Sequence, residues 1–185
     1  MRDVGPMMAQ RPVILVLASG RGERFAASGG STHKLQAALG DTTVLQHTLD
    51  AVRASGLPWH LEQAPHPGMG DSIAAAACAT PDAAGWLVLP ADLPLVRPDS
   101  LRAVADALQH HAVVVPMVRG QRGHPVGFSI ACGPALRALS GAQGAASVAR
   151  AHLNFPLPVD DIGCITDIDT LADLQVAQLL LEQRR

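Results

Sequence analysis

Val13-Ile14-Leu15-Val16-Leu17-Ala18-Ser19-Gly20-Arg21-Gly22-Glu23-Arg24-Phe25, with Lys34 further on, is the stretch from which the fold is read. An apolar run that ends in a glycine-rich loop predicts a buried strand feeding a phosphate-handling turn. Gly20 and Gly22 have no Cβ to keep a triphosphate away from backbone N–H groups. Arg21, Arg24 and Lys34 bring positive charge to the same loop. A plain strand-to-helix turn would account for the glycines but not for the three cations.

The apolar run repeats downstream. Trp86–Pro90 predicts a second buried strand, Ala112–Val118 a third and Pro125–Ile130 a fourth, with a short strand over Trp59–Gln63. Helical spacing runs through Val44–Ser55, with Gly56 where a C-terminal cap belongs, and through Ser100–His110 after Pro98-Asp99. Ile73–Ala79 reads as an alanine-rich helix capped by Asp71 or Ser72. Short helices are expected over Pro134–Leu139 and Ala145–His152, and a final helix after Thr170, whose partner Asp173 makes a capping box.

Alternation of strands and helices predicts an α/β fold: three layers, a mostly parallel sheet with helices on both faces. Residues 1–11 read as a loose tail and 12–185 as a single domain. In such sheets ligands bind beyond the carboxyl ends of the strands. The glycine loop, Asp92 after Leu87–Pro90, and the Asp167/Asp169 pair all fall at such ends.

Composition narrows the function. Lys and Arg number 14 against 16 Asp and Glu, aromatics are 3% and tyrosine is absent. A nucleic-acid binder would carry a basic excess or stacking platforms, so no nucleic-acid partner is expected. Three dispersed cysteines without a CxxC, and eight histidines without paired ligand spacing, predict neither disulfides nor a zinc site. His110-His111 reads as a solvated helix end. No run has the length of a membrane span and Met1–Pro12 lacks a signal-peptide core, so a cytoplasmic protein with no membrane partner is expected.

Each motif has a limit. Phe25 stands where a dinucleotide fingerprint needs its third glycine, and Asp41 lies in a turn rather than at a strand end. No Gly-Lys-Ser/Thr follows, which excludes a Walker A loop. Asp92, between Pro90-Ala91 and Leu93-Pro94, either caps the next segment or holds Mg²⁺, a hard cation suited to carboxylate oxygens. Asp167 and Asp169 are read as pointing to opposite sides of an extended segment, so at most one is expected to face the same point as Asp92. Gly68-Met69-Gly70-Asp71-Ser72 offers free N–H groups at a helix start. Read alone, His124 in Gly123-His124-Pro125 is as much a loop residue as a substrate contact.

In order, these blocks resemble the molybdenum-cofactor nucleotidylyltransferases, the MobA/MocA-like group of NTP transferases. Leu17–Phe25 with Lys34-Leu35 resembles the family's opening signature. Gly68-Met69-Gly70-x-Ser72-Ile73, Pro90–Pro94, Gly123-His124-Pro125 and Asp167-Ile168-Asp169-Thr170-x-x-Asp173-Leu174 resemble its later blocks. Gly123-His124-Pro125 and Asp-x-Asp-Thr look like the cytidylyltransferase branch. Three departures stand out: Ser19 replaces Ala or Gly, the loop from Arg24 to Lys34 is longer, and Gly141–Ala146 lacks the two charged residues of a Gly-Asp-x-Gly-Ala-Arg block.

The resemblance implies a Rossmann-like fold of the nucleotide-diphospho-sugar-transferase type. It implies transfer of CMP or GMP from CTP or GTP to the terminal phosphate of a molybdopterin-type acceptor, with Mg²⁺ as cofactor and pyrophosphate released. Arg24, Lys34 and Asp92 are the implied catalytic residues. Leu17, Ala18, Ser19, Gly20, Arg21 and Gly22 are implied to bind nucleotide together with Lys34, Gly70, Ser72, Pro90 and Asp92. His124 and Pro125 would meet the acceptor, and Asp92 and Asp169 the metal. A molybdoenzyme or its chaperone would be a further partner. Two other readings stay open: a nucleotidyltransferase acting on a sugar or polyol phosphate, and a non-catalytic accessory protein that carries cofactor or nucleotide.

Overall fold

The computed structural model describes residues 11–184. The first strand, β1 (Val13–Leu17), lies one strand in from the edge of the sheet, with β4 (Trp59–Glu62) parallel on its outer side and β5 (Gly85–Pro90) parallel on the other. Its Ile14, Leu15 and Val16 are wholly buried, as an uninterrupted apolar run requires of a strand covered on both faces.

Beyond β5 comes β8 (Val126–Ser129), antiparallel, then β6 (Val113–Val118) and the edge strand β9 (Asn154–Pro158), parallel to β6. The short β7 (Gln121–Arg122) folds back antiparallel on the end of β6. Five of these strands run one way, and β7 and β8 run against them.

Strand alternation splits the core into two. Ile14, Val16, Leu87 and Leu89 meet α2 (Val44–Ser55), α4 (Pro98–Ala107) and α7 (Leu171–Glu182). Leu15, Leu17, Trp86 and Val88 point the other way, to α3 (Met69–Ala79), α5 (Gly133–Arg137) and α6 (Ala146–Arg150). That is the three-layer arrangement expected from the alternation. Among the described residues no helix is long and apolar enough to cross a membrane.

Several local expectations need correction. The stretch after Gly22, read as loop, contains α1 (Glu23–Ala27), started by Gly22 at a φ of 66°, where a side chain would be strained. A small hairpin, β2 (Ala38–Leu39) with β3 (Thr42–Thr43), surrounds the Gly40-Asp41 turn. The last strand, Asn154–Pro158, is one that the sequence reading does not single out; as an edge strand it tolerates Pro156 and Pro158. The cap of α3 is Gly68, not Asp71 or Ser72. His111 is not a free helix end: its ring stacks on Phe155 at 3.7 Å. The expected tail lies outside the described residues apart from Arg11, whose carbonyl accepts from the Ala84 amide at 3.4 Å.

Candidate active site

Three backbone ties bring the strand ends together. The Ala91 amide donates to Leu17 O at 3.0 Å, which holds the Asp92 turn against the end of β1. The buried Thr48 hydroxyl of α2 donates to Ala91 O at 2.9 Å, fixing the turn from behind. The Ile168 amide donates to Asp92 O at 3.0 Å and brings in the segment before α7. Ile168 is wholly buried, so its neighbours face outward, Asp167 into solvent and Asp169 toward Asp92. Strand alternation is not what separates them, since residues two apart in a strand share a face; residues 166–169 belong to no strand, and the approach to α7 turns Asp169 alone to Lys34. Asp169 is steadied by the capping box of α7, in which Asp173 accepts from the Asp169 and Thr170 amides at 3.1 and 2.7 Å.

Lys34 Nζ lies between the two carboxylates, 2.6 Å from Asp92 Oδ2 and 2.9 Å from Asp169 Oδ1. It stands on the 3₁₀ turn Lys34–Gln36, whose entry is shaped by His33. The His33 ring accepts from the Leu35 amide and reaches Gly20 O at 2.8 Å. Burial works against the Lys34 ammonium, but the charge and hydrogen bond of Asp92, joined by those of Asp169, outweigh it and raise its pKa. Burial alone would raise the Asp169 carboxyl; the hydrogen bond and charge of Lys34, then the charge of Arg24, bring it below its ordinary value. Arg24 pairs with Asp169 from the exposed side. Among the described residues Asp92 Oδ1 is buried and has no hydrogen-bond partner.

Arg24, Lys34 and Asp169 border a polar cleft of about 370 Å³, floored by Ser19, Gly20 and Gly22 and walled by Gly68, Met69 and Ser72; Asp92 joins them through Lys34. A Cβ on Gly20 would meet no protein atom within 4 Å, so the space above it is free for a ligand. The Ser19 and Ser72 hydroxyls lie 2.6 Å apart and close the floor. Arg21 is exposed at the rim, 3.8 Å from Glu23. His66 also borders this cleft.

A second cavity of about 510 Å³ adjoins it across Met69. Leu17, Ile73, Val88, Val115 and Phe128 make it largely apolar, and Pro90 and His124 stand at its wall. Burial pushes the His124 imidazole below its ordinary pKa, against the pull of Asp92 and Asp167, and leaves the ring neutral. Its Nδ1 is buried without a partner.

The expected residues thus divide. Arg24, Lys34, Asp92 and Asp169 come together, with Ser19, Gly20, Arg21, Gly22 and Ser72 along the polar cleft. Leu17 and Pro90, expected at the nucleotide, line the apolar cavity with His124 instead. Ala18 lines neither; its amide donates to Glu62 O. Pro125 is buried behind His124 after a cis peptide bond. Gly70 is a correction. Its N–H, expected to be free, donates to Gly141 O at 2.8 Å, and a Cβ there would strike the 140–141 backbone. Asp71, expected as a cap, accepts from the Gly141 amide at 2.9 Å and ties the same loop to α3.

Reading the sequence missed His33 and His66, which carry no spacing signal, and the cavity-lining Arg122, Arg150 and Asn154. Two of them adjoin a motif, His33 before Lys34-Leu35 and Arg122 before Gly123-His124-Pro125.

The same fold is found in known proteins. Rv0371c from Mycobacterium tuberculosis H37Rv superposes with a TM-score of 0.78 at 26% identity, over 94% of this chain and 100% of that one. Rv0371c in complex with manganese gives 0.73 at 23% identity, over 93% and 100%. Molybdopterin-guanine dinucleotide biosynthesis protein A from Archaeoglobus fulgidus shares the fold with a TM-score of 0.68 at 16% identity, over 92% and 99%. A search of curated protein sequences gives no significant match. Residues 50–155, more than half of the chain and including the Asp92 turn, His124 and most of the apolar cavity, match the MobA-like NTP transferase domain. The chain belongs to that nucleotidyltransferase family.

Proposed function

We propose that the protein transfers CMP from CTP to the terminal phosphate of a molybdopterin-type acceptor, with release of pyrophosphate. The observation that carries this reading is the adjacency of two unlike cavities. A polar cleft bordered by Arg24, Lys34 and Asp169, with Asp92 paired to Lys34, suits a metal–triphosphate. The larger apolar cavity beside it suits the ring-bearing body of an acceptor better than a polyol phosphate, whose hydroxyls would lie against Ile73, Val115 and Phe128. The choice of CTP rests on the resemblance of Gly123-His124-Pro125 and Asp167–Thr170 to the cytidylyltransferase branch.

A divalent ion suits these residues. Asp92 Oδ1 is a buried oxygen with no partner, and Asp92 and Asp169 already converge on one cation. Among the described residues no group of three His, Cys, Asp or Glu is placed to hold a metal. The two aspartates would therefore hold Mg²⁺ with water and phosphate oxygens completing its shell. When bound, Mg²⁺ neutralises phosphate charge as a Lewis acid. The manganese complex of Rv0371c is in keeping with use of a divalent ion.

The chain's own part is alignment and charge. An acceptor phosphate oxygen attacks the α-phosphorus, the bond to the β-phosphate breaks, and the electron pair leaves with pyrophosphate. That phosphate is ionised at neutral pH, so no general base is needed. Arg24 and Lys34 hold the triphosphate and take up the charge of the departing pyrophosphate. His124, neutral and buried, orients the acceptor.

The test is pyrophosphate release with Mg²⁺ and molybdopterin, offering CTP and GTP in turn. Release with CTP is expected, and Asp92→Asn should lower it by about 10²–10³-fold. Release with GTP alone would move the base preference. No release with either, although nucleotide binds, would overturn the acceptor assignment.

A further inference from the structure

Positive charge in the apolar cavity comes from a place the family block does not indicate. Gly141–Ala146 has no charged residue, and Ala146 stands where the block carries Arg. Ala146 is the first residue of α6, so position 150 falls one turn on along the same side of the helix. That residue is Arg150, and it lines the cavity. Arg122 on β7 lines it as well. Among the described residues neither guanidinium has a hydrogen-bond or ion-pair partner. Arg97, Arg102, Arg137 and Arg184, by contrast, are all engaged.

A second observation points the same way. Asn154 and His124 both line this cavity, and among the described residues Asn154 Oδ1 and His124 Nδ1 are buried without a hydrogen-bond partner. A buried polar atom left unsatisfied is destabilising. Two on one apolar wall call for a ligand that brings its own polar edge. Asn154 Oδ1 can only accept, so the ligand must donate to it.

We propose that Arg122 and Arg150 form an anion clamp for the acceptor, replacing the charge missing from Gly141–Ala146, and that Asn154 receives an N–H from the acceptor's heteroaromatic ring. The inference rests on the reading of this cavity as the acceptor site. A phosphorylated, nitrogen-containing ring system supplies the three things the cavity lacks: an anion, an N–H donor and a flat body for the apolar walls.

Fluorescence titration tests this with two probes, 6-hydroxymethylpterin and its monophosphate. Wild-type protein should bind the monophosphate about 10-fold or more tighter, the increment of a charge-assisted contact. Arg122→Ala and Arg150→Ala should each remove most of that increment and leave the unphosphorylated probe unchanged. Asn154→Ala should weaken both probes alike. Arg150→Lys, which keeps the charge but not the fork, should fall between, and it reads the clamp even if the alanine variant fails to fold. Calorimetric binding of manganese–CTP should be unchanged in all four.

Equal affinity for the monophosphate in wild type and both arginine variants would overturn the clamp and leave the transfer reaction standing. So would a wild type that does not distinguish the two probes. If wild type ignores both pterins but binds glycerol 3-phosphate, and Arg150→Ala loses that binding, the clamp stands and the heteroaromatic acceptor falls.

Discussion

At the scale of single residues, Lys34 occupies the point on which Asp92 and Asp169 converge, so its ammonium is an internal counter-ion where a metal would go. A divalent ion arriving alone has to displace it, whereas a triphosphate offers the lysine a new anionic partner. Metal and nucleotide should therefore bind with positive coupling, and by linkage the coupling is reciprocal. Lys34→Met should bind Mn²⁺ alone about 10-fold tighter than wild type by calorimetry, lose most of the coupling, and turn over about 10²-fold more slowly. Unchanged affinity for Mn²⁺ alone would sink the idea. The charges themselves persist across neutral pH. Asp169 is lowered, so its share of stability is present above its unfolded pKa of roughly 4 and is lost as pH falls through the lower folded value. Lys34 is raised, so its share is present below an unfolded value of roughly 10.4 and is lost as pH rises through the folded one. Carbon NMR should find the Asp169 carboxyl titrating below its ordinary value in wild type and moving upward in Lys34→Met.

At the scale of elements, what could be read in advance depended on whether the signal was local. Val44–Ser55 carries its apolar spacing, its Thr43 cap and its Gly56 stop within one stretch, and it folds within those bounds. The capping box of α7 is equally self-contained. The hairpin of β2 and β3 and the strand β7, each two residues per strand, are too short for any periodicity, and α1 depends on the backbone of Gly22. Asp161 shows the same limit for a polar residue. It reads as an ordinary loop acid, yet it is 1% exposed and joins three elements. It accepts from the Arg97 amide and Ser100 hydroxyl at the start of α4, and from the Gly163 amide of the 3₁₀ turn Ile162–Ile165, and it lies 3.6 Å from Arg184 beyond α7. Asp161→Ala leaves these donors without their acceptor and should cost about 3 kcal/mol in urea unfolding. Next to it Cys164 is pushed up to about 12, by burial first and then by the Asp161 charge. Treated with a thiol reagent at pH 8, the folded protein should react quickly at the exposed Cys78 and not at Cys164 or the buried Cys132. A raised thiol pKa also means that the unfolded chain ionises first. Stability should accordingly fall as pH rises above roughly 8.5, and Cys164→Ala should flatten that fall.

At the scale of the whole molecule, the candidate site is assembled from the two ends of the chain. Gly20, Arg24 and Lys34 come from the first fifth and Asp169 from the last, and both reach Asp92 only because β1 and β5 are adjacent, parallel strands. That much was legible, since strand ends in a parallel sheet share one edge. The division into a polar cleft and an apolar cavity was not, because Leu17 and Pro90 face the second cavity by the phase of strands that sequence cannot rotate. A ligand spanning the polar cleft should then staple segments about 140 residues apart in sequence. Manganese with a non-hydrolysable CTP analogue at 100-fold over its Kd stabilises the folded state by about 2.7 kcal/mol. For a domain of this size that is about 5–10 °C in Tm. Hydrogen exchange should slow together in three places: the Ser19–Arg24 loop, the Asp92 turn and the 166–170 segment. Chelation with EDTA should release the 166–170 segment while the glycine loop keeps part of its protection, because Asp169 reaches the nucleotide through the cation and the loop amides reach it directly. Protection confined to the N-terminal loop with the metal present would separate Asp169 from the metal site and leave Asp92 as its protein ligand.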